Sequence, residues 1–192
     1  EKFKTISKLF IKKIGYTPML HICNTSGVLN YPEAHLDMVR CGIGLYGFGI
    51  PIAIGTSTED KNLIPVATLK SVISQIHPIQ KGETVGYNMA YKNETFQKIA
   101  TIPIGHADGI GRQYGNGRGF VSINNKKAPI VGNVCMDMIM VNISNIDCNE
   151  GDEVIVFGEH NSAENLAATT DSISYEILTA ISQRVKRVIL KE

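Results

Sequence analysis

The chain has no tryptophan, no block of like charge, and no apolar run near the ~20 residues that span a bilayer. Nineteen basic residues face eighteen acidic ones, a formal charge of +1. That balance leaves no electrostatic footprint for nucleic acid, and no nucleic-acid partner is expected. The four cysteines, Cys23, Cys41, Cys135 and Cys148, form no C-x-x-C pair and lack the histidine spacing of a zinc site. They read as small apolar side chains in a reducing compartment, with no metal. The opening EKFKTISKLF lacks the long apolar stretch of a secretory signal. A cytoplasmic protein without a membrane segment is expected.

What is present is apolar material: 43% of 192 residues, enough for one large domain or two modest ones. The first residue is glutamate, and Phe3, Ile6, Leu9, Phe10 and Ile14 already recur at helical spacing before Gly15. We expect a helix there, in a chain cut from a longer polypeptide. Residues 19–23 read as a buried strand, followed by the polar set Asn24, Thr25, Ser26 and Gly27. That is a βα transition, where parallel α/β folds place ligand groups. A short helix from Pro32 would carry Leu36, Met38 and Val39. In residues 39–47, Arg40 precedes Gly42, Gly44 and Gly47; such glycines either let amides approach a phosphate or mark tight packing.

Residues 50–62, with their Pro, Gly and Thr, read as a linker, which divides the chain into domains 1–58 and 59–192. Beyond it, strands are expected over 66–76, 99–104, 119–123, 128–131, 138–143 and 154–157, with turn dipeptides between them. This spacing predicts a barrel or sandwich. Ile173, Ile177, Ile181 and Val185 predict one closing helix over about 165–187, basic at its C-terminal end.

Residues 85–112 gather most of the chemistry-bearing side chains. Tyr87 follows Val85 and Gly86, and it is either a packing residue or an acid/base, since a phenol titrates near pH ~10 unless its surroundings lower it. His106, Asp108 and Arg112 share a glycine-rich turn; they contact an anionic substrate, or Asp108 caps the turn while Arg112 is solvated. Asp137 interrupts an apolar run, so it ties down a loop or faces a polar cavity. Cys135 beside it has no histidine at a spacing that suggests a nucleophile pair. Arg40 is costly to bury without a fixed acceptor, and Tyr175 is one contact of the closing helix or something more.

The motifs HICNTSG (21–27), VRCGIGLYG (39–47), VGY (85–87), TIPIGHADG (101–109), PIVG (129–132), CMD (135–137), SYE (174–176) and RVKR (184–187) together resemble, in order, the C-terminal half of alanine racemase. The resemblance runs from about residue 18 to residue 188. It implies a mixed α/β fold: the last βα elements of a (β/α)8 barrel, then a mainly β, barrel-like domain with a C-terminal helix. It also implies pyridoxal 5'-phosphate, interconversion of L- and D-alanine for peptidoglycan, and a head-to-tail homodimer whose active sites use both subunits.

By the same resemblance, Tyr87 matches the tyrosine that exchanges the α-proton on one face of the substrate. Arg40 matches the arginine facing the pyridine nitrogen, where it limits delocalisation into the ring. Asn24, Thr25, Gly42, Ile43 and Tyr175 match positions around the cofactor phosphate. Met136 matches the residue whose amide meets the substrate carboxylate, and Arg112 and Asp137 match residues of the entrance and substrate pocket. His106 stands where the family usually has a tyrosine, and Asn133 where an arginine is common. The family's cofactor lysine has no counterpart, because Lys2, Lys4, Lys8, Lys12 and Lys13 lack its context. The 192 residues alone are therefore expected not to racemise alanine. The parent is a plain racemase or a fusion behind a cell-wall peptide ligase. Two other readings stand beside the racemase: a non-catalytic β-barrel dimerisation or binding module, and a related pyridoxal-phosphate amino-acid decarboxylase.

Overall fold

A computed structural model describes residues 1–49, 63–159 and 161–190. They form two compact units that divide between Val66 and Ala67; the boundary expected at 58/59 and the linker expected over 50–62 lie outside the described residues.

In the first unit, helix α1 (Lys2–Ile14) ends where Gly15 turns left-handed at φ 81° and donates its amide to Ile11. Helix α2 (Thr25–Asn30) starts at an N-cap, where Asn24 Oδ1 accepts the Gly27 amide at 3.0 Å. Residues 19–23 do not form the expected strand. A strand is held by its ladder, and among the described residues the only rung is a parallel bridge from Asn24 to Arg40. The helix expected from Pro32 is a single 3-10 turn, Pro32–Ala34. Leu36 then adopts φ 53°, which no helix accommodates.

In the second unit, nine strands follow: β1 (Leu69–Val72), β2 (Gln75–Ile79), β3 (Thr84–Val85), β4 (Tyr91–Lys92), β5 (Gln97–Ile102), β6 (Phe120–Ile123), β7 (Lys126–Val131), β8 (Ile139–Asn142) and β9 (Glu153–Phe157). Seven make one antiparallel sheet in the order β1-β9-β6-β7-β8-β5-β2. The strands at its two ends, β1 and β2, are one continuous run broken only at Ile73–Ser74. Ile73 donates to Asp152 and Ser74 to Thr101, so the sheet curls back on itself and its edges meet. The single alternating segment expected over 66–76 is thus two half-strands facing opposite neighbours. Inward positions such as Ile102, Val121, Ile123, Ile139, Val141 and Val154 are fully buried. Asn124 and Asn125, both left-handed, make the tight β6–β7 turn.

The small β3–β4 hairpin lies on a satellite cluster, with Val85 and Tyr91 packed against Ile99, Val131 and Met140. Its far end is moored by Asn93, only 1% exposed, whose Nδ2 donates to the carbonyls of Ile79, Gln80 and Thr95. At the C-terminus the expected single helix is two, α3 (Ala163–Ala168) and α4 (Ser174–Ala180). The break falls at Asp171, φ 55°, just before Ile173, where the fourfold isoleucine spacing begins. Arg187 bonds the carbonyls of Ile181, Ser182 and Val185, ending α4 from beyond its terminus rather than from its last turn.

Candidate active site

The first unit brings Asn24, Thr25, Arg40, Gly42 and Ile43 together. Thr25 is 4% exposed, and its Oγ1 accepts the amides of Gly42 at 2.9 Å and Gly44 at 3.3 Å. This fastens the α2 N-terminus to the glycine-rich turn Ile43–Tyr46. The intervening Ile43 amide has no acceptor among the described residues. No described atom lies within 4 Å of the place a Gly42 Cβ would take. A neutral cradle of amides and a hydroxyl of this kind can meet an anion without a cation.

Arg40 is fixed at both ends: its amide bonds the Cys23 carbonyl at 2.9 Å, and Nη1 lies 2.5 Å from His21 Nδ1. A guanidinium only donates, so Nδ1 is the acceptor and the ring proton sits on Nε2. His21, quoted above only as part of a motif, is therefore the residue that orients Arg40. Nothing in a spacing of nineteen residues signals that pair.

In the second unit, Tyr87 opens the 3-10 turn Tyr87–Met89 at the tip of the β3–β4 hairpin, with 68% of its surface exposed. Neither Arg112 nor His106 hydrogen-bonds it, and its phenol has no partner among the described residues. His106 and Arg112 are exposed on consecutive short turns. Tyr175 is half-buried on α4, its carbonyl accepting Thr179 Oγ1 at 2.7 Å.

The turn at 105–109 and the loop at 135–138 are one assembly. The amides of His106 and Ala107 donate to the carbonyls of Cys135 (2.9 Å) and Met136 (2.8 Å). Gly105 makes the approach possible, since a Cβ there would stand 2.6 Å from both carbonyl oxygens and from the Met138 amide. With its carbonyls engaged, the loop leaves the Met136 side chain 58% exposed. Asp108 Oδ2 accepts the Gly105 amide at 2.8 Å, so Asp108 caps its own turn. Arg184 Nε and Nη2 reach Asp108 at 2.7 and 3.1 Å, and Nη2 reaches Asp137 Oδ1 at 2.7 Å. One guanidinium from the C-terminal segment thus bolts the turn to the loop, and Asp137 ties down a loop as one of its two readings required. The sequence pattern places Arg184 at a helix end, and 76 residues separate it from Asp108. Burial pushes the Cys135 thiol up, which keeps it protonated at neutral pH and no nucleophile.

The Arg184 guanidinium, opposed by burial and helped by the Gly105 amide, holds the Asp108 carboxyl below its ordinary value. A depressed carboxylate adds stability that is complete above the unfolded-state pKa, about 4, and is lost as pH falls through the lower folded value. Melting temperature measured from about pH 7 down to pH 2 should therefore fall more steeply for the wild-type protein than for Asp108→Asn below about pH 4. At neutral pH the variant should be the less stable of the two.

An anion cradle with a clamped arginine in one unit, and a curled antiparallel β-domain presenting a tyrosine in the other, define a two-part α/β-plus-β protein. The profile of the alanine racemase C-terminal domain matches residues 66–189, and that of the alanine racemase N-terminal domain matches residues 1–49. The chain belongs to the alanine racemase family. It is 38% identical over 190 residues to alanine racemase 2 of Bacillus subtilis strain 168, covering 95% of this chain and 48% of that protein. The solved alanine racemase of Streptomyces coelicolor superposes with a TM-score of 0.89 at 32% identity, over 99% of this chain and 50% of that one. The Bartonella henselae alanine racemase with covalently bound pyridoxal phosphate gives 0.80 at 31%, over 96% and 51%. The chain spans about half the length of the curated relatives it matches. These likenesses bear out the expected fold, the end of a (β/α)8 barrel followed by a mainly β domain. Among the described residues no helix is long and apolar enough to cross a membrane.

Proposed function

We propose that this chain supplies the tyrosine side and part of the cofactor cradle of an alanine racemase that interconverts L- and D-alanine for peptidoglycan in the cytoplasm, working as a head-to-tail homodimer. The residues present fit pyridoxal 5'-phosphate. Thr25, the Ile43 amide and the open space at Gly42 suit a phosphate, and Asn24 and Tyr175 are the other residues that the family resemblance assigns to the cofactor. When bound, this group supplies the electron sink that makes the α-proton of an amino acid removable. Arg40 would stand at the ring nitrogen, where its permanent charge keeps that nitrogen without a proton and limits how far negative charge spreads. Tyr87 would take the α-proton on one face in one direction of the reaction and deliver a proton to that same face in the other. The Met136 amide would orient the substrate carboxylate, with Asp137, Arg112 and His106 around the entrance.

The observation that carries this reading is Arg40. It is bridged to Asn24 through the backbone and held by His21 at its guanidinium, beside the Thr25–Gly42 contact. A dimerisation module has no use for so constrained a cation, which also argues against chemistry that needs full delocalisation into the ring. The test is product analysis of the full-length protein with pyridoxal phosphate and alanine, serine or basic amino acids. D-Alanine from L-alanine is expected, and release of carbon dioxide and an amine would instead establish a decarboxylase.

A further inference from the structure

Tyr87 sits on backbone that does not hold itself. Gly86, Asn88 and Met89 have φ of 77°, 60° and 50°; asparagine tolerates the left-handed region, but methionine does not favour it. Consecutive left-handed residues of this kind persist only where the surroundings fix them. The phenol contributes nothing to that hold, being exposed and without a described hydrogen-bond partner. The hold is on the Tyr87 carbonyl, which accepts the Ala90 amide at 3.3 Å and Asn133 Nδ2 at 3.1 Å.

The orientation of the Asn133 amide is forced. A carbonyl only accepts, so Nδ2 faces Tyr87 and Oδ1 faces away, where it accepts Asn116 Nδ2 at 3.2 Å. Asn116 is itself anchored, its backbone amide donating to the Gly132 carbonyl at 2.7 Å. Gly132, at φ 65°, lets the strand end approach the hairpin closely: a Cβ there would stand 2.9 Å from the Val85 carbonyl oxygen. Three segments distant in sequence thus converge on one peptide group, and both ends of the Asn133 amide are used. The asparagine, at a position where the family resemblance leads one to expect arginine, gives this contact without adding a charge beside the tyrosine.

We propose that Asn133, oriented by Asn116, is a positioning residue for Tyr87, clamping its carbonyl so that the strained turn presents the phenol in one place. This rests on Tyr87 being the acid/base of the reaction proposed above. The clamp acts on one proton transfer of two, and that separates it from general loosening of the fold. Because L- and D-alanine are equal in energy, kcat/KM falls equally in both directions whatever is damaged, so rates alone do not discriminate.

The test uses the full-length protein with pyridoxal phosphate and the variants Asn133→Leu, which keeps the size, adds no charge and removes the donor, and Asn116→Ala. For Asn133→Leu we expect kcat/KM to fall by about 10- to 100-fold. The α-deuterium isotope effect should rise for the enantiomer whose proton Tyr87 removes and not for the other. Hydrogen exchange should quicken in residues 85–92 while β6 and β7 keep their protection; Asn116→Ala should show the same pattern more weakly. Isotope effects unchanged for both enantiomers, or unchanged exchange over 85–92, would overturn the proposal. If the wild-type protein racemises no alanine, the functional reading falls, and hydrogen exchange alone then decides whether the clamp exists.

Discussion

Tyr87→Phe in the full-length protein should lower the interconversion of L- and D-alanine by about 10²- to 10⁴-fold, the range a positioned acid/base contributes. The substitution removes one oxygen from a side chain that is 68% exposed and whose phenol bonds to no described residue. Stability should therefore stay within about 0.5 kcal/mol of wild type, as for a surface change away from any packed feature. Melting temperature and turnover measured on the same preparation separate the two effects. A variant that loses activity while keeping its melting temperature places Tyr87 in the chemistry. One that retains activity leaves Tyr87 as an ornament of the hairpin.

The second large effect is structural and falls on substrate binding. Gly105→Ala puts a methyl group 2.6 Å from the carbonyl oxygens of Cys135 and Met136, and backbone cannot step aside as a flexible side chain would. The turn and the loop must separate, breaking the bonds from His106 and Ala107. A cost of about 3 kcal/mol or more is expected. The Met136 amide moves with the loop, so whatever folded protein remains should show a raised KM for alanine. Chemical denaturation gives the first quantity and steady-state kinetics the second. Normal stability and normal KM together would mean that the loop is not held by this contact.

Much of the β-domain was legible because each strand carries its own signal. In β7, exposed Lys126 and Lys127 give way to buried Ala128, Ile130 and Val131, and the adjoining Asn124–Asn125 pair marks the hairpin. Closure was not legible, since nothing local says that 69–72 and 75–79 pair with opposite ends of the sheet. The closing helix was overread for the opposite reason: Ile173, Ile177 and Ile181 keep their spacing, but Ile181 turns extended at ψ 113° and the segment beyond follows Arg187 instead. Residues 19–23 looked like a strand by composition, yet strands exist by pairing.

For the candidate site, motif order supplied the residue types and the structure supplied their partners. Tyr87, Arg40, Thr25 and Met136 could be named from the motifs. That His21 holds Arg40, that Arg184 joins Asp108 to Asp137, and that Asn133 holds Tyr87 could not be read, because each contact joins residues between 19 and 76 positions apart. Spacing along a chain carries no distance at that range.

The central claim is that Tyr87 works on one face only, the other face being served by a lysine that these 192 residues do not provide. Washout of the α-hydrogen tests it most directly. The full-length Tyr87→Phe protein, with pyridoxal phosphate in deuterated water, is incubated separately with L- and D-alanine, and deuterium incorporation is followed by mass spectrometry. The account predicts incorporation into one enantiomer, through the remaining base, and almost none into the other. Equal incorporation into both, or racemisation at the wild-type rate, would contradict it.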